Sequence, residues 1–181
     1  MRQIKINIMG ACKVGKTAIC QVLCGKRFPV EYQPTLCVDL NTYTLPPDPA
    51  SASASASTFY IWELSGADKY RSLITPYMNR SEVGIFVYDI TDVSSLSKLD
   101  YYIKVFKGPT RILVANKCDG GDSSEGKAYA DRNGMSYFKT SAKNNIGIKE
   151  LFQYIAEQGS SDPHGSSIWL TGQLLSPSSC C

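Results

Sequence analysis

Gly10-Ala11-Cys12-Lys13-Val14-Gly15-Lys16-Thr17 decides how the rest of the chain is read. It fits G-x-x-x-x-G-K-[ST], with an extended apolar stretch, Gln3 to Met9, directly before it. Directly after it Ile19, Val22 and Leu23 fall at i, i+3 and i+4, the spacing of a helix face. Strand, glycine-bearing loop and helix in that order give the motif its context. Glycines at 10 and 15 let the backbone curl until its N–H groups and the helix N-terminus converge on one point, where they suit phosphate oxygens. Lys16 adds positive charge there, and Thr17 a hydroxyl suited to Mg²⁺.

Further along, apolar stretches alternate with helical patterns. Leu36–Leu45, Thr58–Leu64, Val83–Asp89, Ile112–Asn116 and Ser136–Lys139 read as strands. Leu96, Leu99, Ile103 and Phe106 read as one helix face, and Ile148, Leu151, Phe152 and Ile155 as another. The expected fold is α/β: a doubly wound, mainly parallel six-stranded sheet with one antiparallel edge strand and helices on both faces. The antiparallel strand follows from Leu36–Leu45 and Thr58–Leu64 being consecutive strands. The segment between them, 46–57, holds prolines and an Ala-Ser run without apolar anchors, and is expected to be a mobile insertion.

The chain has 181 residues, 43% hydrophobic and 19% charged, which suits one globular domain. Nineteen basic against sixteen acidic residues leave a net charge of +3, too little for the basic stripe of a nucleic-acid binder, so no nucleic-acid partner is expected. The longest apolar run, Val83 to Ile90, is broken by Gly84 and Asp89, and Met1–Gly10 alternates where a secretory signal would be continuous. A cytosolic location is expected. The seven cysteines, at 12, 20, 24, 37, 118, 180 and 181, show no C-x-x-C spacing, so neither a disulfide framework nor a zinc site is indicated.

A phosphate loop does not choose a base. Asn116-Lys117-Cys118-Asp119 ends the fifth strand, and a carboxylate there can accept from a ring N–H and an exocyclic amine together, a donor pair that guanine has and adenine lacks. Thr140-Ser141-Ala142-Lys143 follows the last strand, where a backbone N–H near Ala142 is placed to donate to the guanine carbonyl.

From Met1 to about Gln158 the chain resembles the small GTPases of the Ras superfamily, P-loop NTPases with a small G domain. The resemblance implies GTP/GDP and Mg²⁺ as ligands. Nucleotide contacts would come from Gly10, Ala11, Cys12, Lys13, Val14, Gly15, Lys16, Thr17 and Ala18 and from Asn116, Lys117, Asp119, Ser141, Ala142 and Lys143. Phe28-Pro-Val-Glu-Tyr-Gln-Pro-Thr35 is similar to the first switch, with Phe28 stacking on the base and Thr35 joining Thr17 on the metal and reaching the γ-phosphate. Leu36-Cys37-Val38-Asp39-Leu40, Trp62-Glu63-Leu64-Ser65-Gly66, Tyr70-Arg71-Ser72-Leu73 and Val87-Tyr88-Asp89-Ile90-Thr91-Asp92 resemble the Rab branch in particular.

The second switch departs from that pattern. Where relatives carry D-T-A-G-Q, this chain has Glu63-Leu64-Ser65-Gly66-Ala67. Glu63 takes the place of the aspartate that holds the Mg²⁺ shell through water, with a methylene to accommodate. Gly66 is kept to report the γ-phosphate. Ala67 stands where a glutamine orients the attacking water, so no catalytic residue is assigned, and hydrolysis is expected to be slow unless a partner supplies the missing group. Cys12 and Lys13 add side chains where small residues are usual.

The region 159–181 is rich in Gly, Ser and Pro and has no Lys or Arg, and it reads as a flexible tail. Its apolar residues Ile168, Trp169, Leu170, Leu174 and Leu175 could dock on a partner or on the domain. Cys180-Cys181 is similar to the Rab double-cysteine ending, where each thiol takes a geranylgeranyl group; two chains hold a membrane where one does so only reversibly. The resemblance implies a monomeric switch in vesicle and membrane traffic, on the cytosolic face of endomembranes. Its implied partners are effectors, an exchange factor, a GTPase-activating protein, the prenylation machinery and a GDP-dissociation inhibitor. A pseudo-GTPase binding module, with nucleotide static or absent, is the other reading of the altered second switch.

Overall fold

Strand β1 (Arg2–Met9) runs through the middle of a six-stranded sheet of order β2-β3-β1-β4-β5-β6. A computed structural model describes residues 2–47, 56–78 and 81–158. On one side β1 pairs in parallel with β3 (Ser57–Leu64), and on the other with β4 (Val83–Asp89). β5 (Thr110–Asn116) and β6 (Ser136–Lys139) continue the sheet in parallel, while β2 (Val38–Leu45) closes the opposite edge antiparallel to β3. Every residue of β4 is buried, as a parallel strand covered on both faces requires. β2 instead alternates through most of its length, one face packed and the other exposed.

The period of two in β1 separates the cores. Ile4, Ile6 and Ile8 face α1 (Lys16–Leu23) and α5 (Ile148–Gln158), meeting Ile19, Leu151, Phe152 and Ile155. Phe152 lies edge-on to Phe59 at 5.4 Å between ring centroids. Met9 belongs to the other face, under α2 (Arg71–Met78), α3 (Asp100–Val105) and α4 (Glu125–Arg132), with Ile74, Tyr102 and Ala130. Burying each large apolar side chain here stabilises the fold by about 1.5–3 kcal/mol.

The expected architecture is the observed one, with local differences. β2 starts at Val38 because Cys37 takes a left-handed conformation (φ 61°), which turns Leu36 out to 74% exposure. The helix read through Leu96–Phe106 is a 3₁₀ segment, Val93–Leu99, followed by the short α3, with Phe106 just beyond it. The 3₁₀ pitch shifts the buried set to Leu96, Leu99, Tyr102 and Phe106 and leaves Ile103 half-buried. The 46–57 connection ends one residue early, since Ser57 already pairs with Leu45 and Arg2. Of the 46–57 segment expected to be mobile, 48–55 lie outside the described residues, as does the tail 159–181 with Cys180 and Cys181.

Because β1 is joined to β3 on one side and β4 on the other, the chain's crossovers diverge at its carboxyl end. That is where an open α/β sheet leaves a crevice for a ligand.

Candidate functional site

The loop after β1 is shaped by two glycines. Gly10 has φ 148°, and a Cβ there would lie 2.2 Å from the Val87 carbonyl oxygen. Gly15 has φ 98°, and a Cβ would lie 2.2 Å from Asn116 Nδ2. Lys13 is also left-handed, at φ 66°, at a cost of about 1–2 kcal/mol for a residue with a side chain. Lys16, 5% exposed, donates to the carbonyls of Gly10 (3.0 Å) and Ala11 (2.8 Å). Burial draws its pKa below the ordinary lysine value, while the Glu63 charge opposes the shift.

At the far end Asn116 ties three segments together. Its Nδ2 donates to Val14 O (2.8 Å), and its Oδ1 accepts from the Thr140 hydroxyl (3.0 Å) and the Ala142 N–H (3.3 Å). The Ala142 N–H, expected to face a base carbonyl, is thus turned to Asn116, whose buried oxygen needs donors. Asp119 is exposed and is held by the Ser141 hydroxyl at 2.5 Å. Lys117, left-handed at φ 66°, pairs with Asp89 at the end of β4.

The switch segments meet the phosphate loop from the other side. Gly66 packs so closely that a Cβ would lie 2.4 Å from Ala11 C and Cys12 N. The Thr35 hydroxyl donates to Glu63 Oε1 at 2.8 Å, and Thr17 donates to the same oxygen. The two threonine oxygens are 3.3 Å apart. Glu63 is 1% exposed, and its Oε2 is buried without a hydrogen-bond partner among the described residues. Two hydroxyls and a half-satisfied carboxylate form an oxygen set that fits Mg²⁺. Phe28 is 41% exposed on the same crevice.

One cavity of about 960 Å³ takes in Cys12, Lys13, Gly15, Lys16, Thr17, Ala18, Phe28, Thr35, Glu63, Gly66, Ala67, Asn116, Lys117, Asp119, Ala142 and Lys143. Gly10, Ala11, Val14 and Ser141 do not line it. Val14 turns its side chain into the core, and the others act through the carbonyls and the hydroxyl described above. Gln21 and Lys69, which no motif singled out, also line the cavity, as do Tyr32 and Tyr70 from the two switch segments. Tyr32 sits under the Lys13 ammonium, 5.7 Å from ring centroid to Nζ. Its place in the first switch was visible, but its pairing with Lys13 depends on two loops meeting.

A phosphate loop at the sheet's switch point, closed over by an Asn-Lys-x-Asp loop and two switch segments, defines a P-loop nucleotide-binding protein. The family model described as the Ras family matches residues 5–160. The Ras-related protein Rab-31 of Rattus norvegicus is 34% identical, over 91% of this chain and 87% of its own length. Rab-22A of Homo sapiens is 33% identical (87% and 84%), and Rab-7B of Dictyostelium discoideum 30% (98% and 96%). The chain belongs to the Ras family, as a Rab-like small GTPase that binds guanine nucleotide and acts as a switch in membrane traffic.

Proposed function

We propose that the cavity takes GTP or GDP with its base against Phe28 and Asp119 and its phosphates in the loop from Gly10 to Ala18, and that this chain hydrolyses GTP slowly. The observation that supports this reading most is Gly66 against Ala11 and Cys12, which sets the second switch directly on the phosphate loop. Asn116 joins the loop to the base-binding turn, so both ends of a nucleotide would be felt by one side chain. Asp119, held by Ser141, selects guanine; Lys117, Ala142 and Lys143 complete the turn. Lys16 exchanges its two carbonyl acceptors for phosphate oxygens.

Thr17 and Thr35 would hold Mg²⁺, with Glu63 beside it. The ion, when bound, screens phosphate charge. Thr35 and Gly66 reach the γ-phosphate and order both switches for effectors, and loss of that phosphate releases them. Ala67 offers a methyl group where water must be oriented, so turnover depends on an activating protein. The exposed Leu36, Leu40 and Leu73 beside the switches give effectors an apolar surface. An exchange factor, a GDP-dissociation inhibitor and prenyl groups on Cys180 and Cys181 would complete the cycle, placing the protein on the cytosolic face of endomembranes.

Ala67 also supports the second reading, a binding module with nucleotide static or absent. Multiple-turnover phosphate release with and without candidate activators separates the two, and denaturing the purified protein identifies the nucleotide it holds. Guanine nucleotide near one per chain is expected, GDP where turnover survives Ala67 and GTP where hydrolysis is the impaired step, with Asp119→Ala losing guanine preference. A folded protein that is empty and does not take up GTP with Mg²⁺ would exclude the switch.

A further inference from the structure

We infer that Glu63 is itself a ligand of the divalent cation, through Oε1, in the place that a shorter carboxylate leaves to water. The inference rests on the reading of the cavity as a site for metal and nucleotide, and it concerns how this chain holds the ion. Glu63 is the penultimate residue of β3, in register with Ile8 on one side and Asp39 on the other. Its backbone is fixed by two strands, and the side chain is 1% exposed, so the carboxylate has no solvent to retreat into.

Its Oε1 is in contact with both hydroxyls that would bind the ion. Thr35 Oγ1 is 2.8 Å away and Thr17 Oγ1 closer, and the two hydroxyls are 3.3 Å from each other. Six-coordinate Mg²⁺ with bonds of 2.0–2.1 Å places neighbouring ligand oxygens about 2.9 Å apart. The Thr35–Glu63 and Thr17–Thr35 separations, 2.8 and 3.3 Å, bracket that spacing, and the three oxygens come from three separate elements.

The carboxylate is also incompletely satisfied. Both donors go to Oε1, Oε2 has none among the described residues, and the Lys16 ammonium is engaged with the Gly10 and Ala11 carbonyls. A buried carboxylate in that condition is costly unless a further positive partner arrives. An ion on the Thr17–Thr35–Glu63 face is such a partner. Aspartate at this position would withdraw the oxygen by one carbon–carbon bond, about 1.5 Å, opening room toward a bridging water. Glutamate at 63 thus does not remove the metal site; it replaces one of the ion's waters with a charged oxygen.

The test counts water. Protein loaded with Mn²⁺ and a non-hydrolysable GTP analogue is transferred to ¹⁷O-enriched water, and the broadening of the Mn²⁺ resonance gives the number of waters on the ion. The wild-type protein is expected to hold one fewer water than Glu63→Asp and one fewer than Glu63→Ala; either variant suffices if the other does not fold. Equal counts in wild type and variant, with metal and nucleotide bound in both, would overturn direct ligation and leave the nucleotide reading intact. Failure of the wild-type protein to bind Mn²⁺ and the analogue together would overturn both.

Discussion

Ala67 concentrates the functional question in one methyl group. It lines the cavity, and its N–H donates to the Ser65 hydroxyl at a long 3.4 Å. A longer polar side chain at 67 has the cavity to extend into and displaces no core residue. A preorganised donor at a reacting centre is worth about 10²–10³ in rate. Ala67→Gln should therefore raise single-turnover GTP hydrolysis by about 10- to 100-fold, less than the full value because Cys12, Lys13 and Glu63 remain around it. An unchanged rate would show that water is oriented by some other group. Ala67 was legible in the sequence because its neighbours spell out the switch. The Lys13–Tyr32 contact was not, since neither residue's loop specifies where the other will lie.

At the scale of elements, the central strands were legible because each is a short apolar run between turn residues. α2 and α4 escaped the same reading for separate reasons. α2 carries Pro76 within its eight residues and leaves Leu73 and Tyr77 exposed, so its apolar spacing does not mark a buried face. α4 buries only Gly126 and Ala130, with Tyr129 half-buried beside them, and one large side chain shows no period. The reason for Gly126 is tertiary: a Cβ there would lie 1.9 Å from the Tyr88 hydroxyl and 2.6 Å from Cζ. Alanine is the better helix former by about 1 kcal/mol, whereas overpacking costs about 1–3 kcal/mol. Gly126→Ala should accordingly lower stability in urea melts despite its propensity, and adding Tyr88→Phe should recover part of the loss by removing the nearest atom. A Gly126→Ala protein as stable as the parent would mean that α4 shifts freely on the sheet.

Over the whole molecule, the motifs for phosphate and base are each contiguous, so the site's ends were readable, but the links that hold those ends at a fixed separation cross the sheet. Asn116 is one link, and the Asp89–Lys117 pair is another, joining the carboxyl ends of β4 and β5. Asp89 is 8% exposed. Burial pushes its pKa up, but the Lys117 ammonium and the Thr91 hydroxyl and N–H (2.7 and 3.0 Å) outweigh it, leaving the carboxyl below the ordinary 3.8. A group depressed in the folded state contributes stability that is present above its unfolded pKa and is lost as pH falls through the folded value. The contribution of Asp89 is therefore complete at neutral pH and begins to fade below about 3.8. Asp89→Asn should be less stable than the parent in urea at pH 7 and pH 5, measured at fixed GDP and Mg²⁺, with the gap narrowing below pH 3.8 as the parent's carboxylate takes up its proton. The other carboxylates titrate in both proteins, so the difference between the two curves isolates this pair. A gap that stays constant down to pH 3 would show that Lys117 gains nothing from the charge on Asp89.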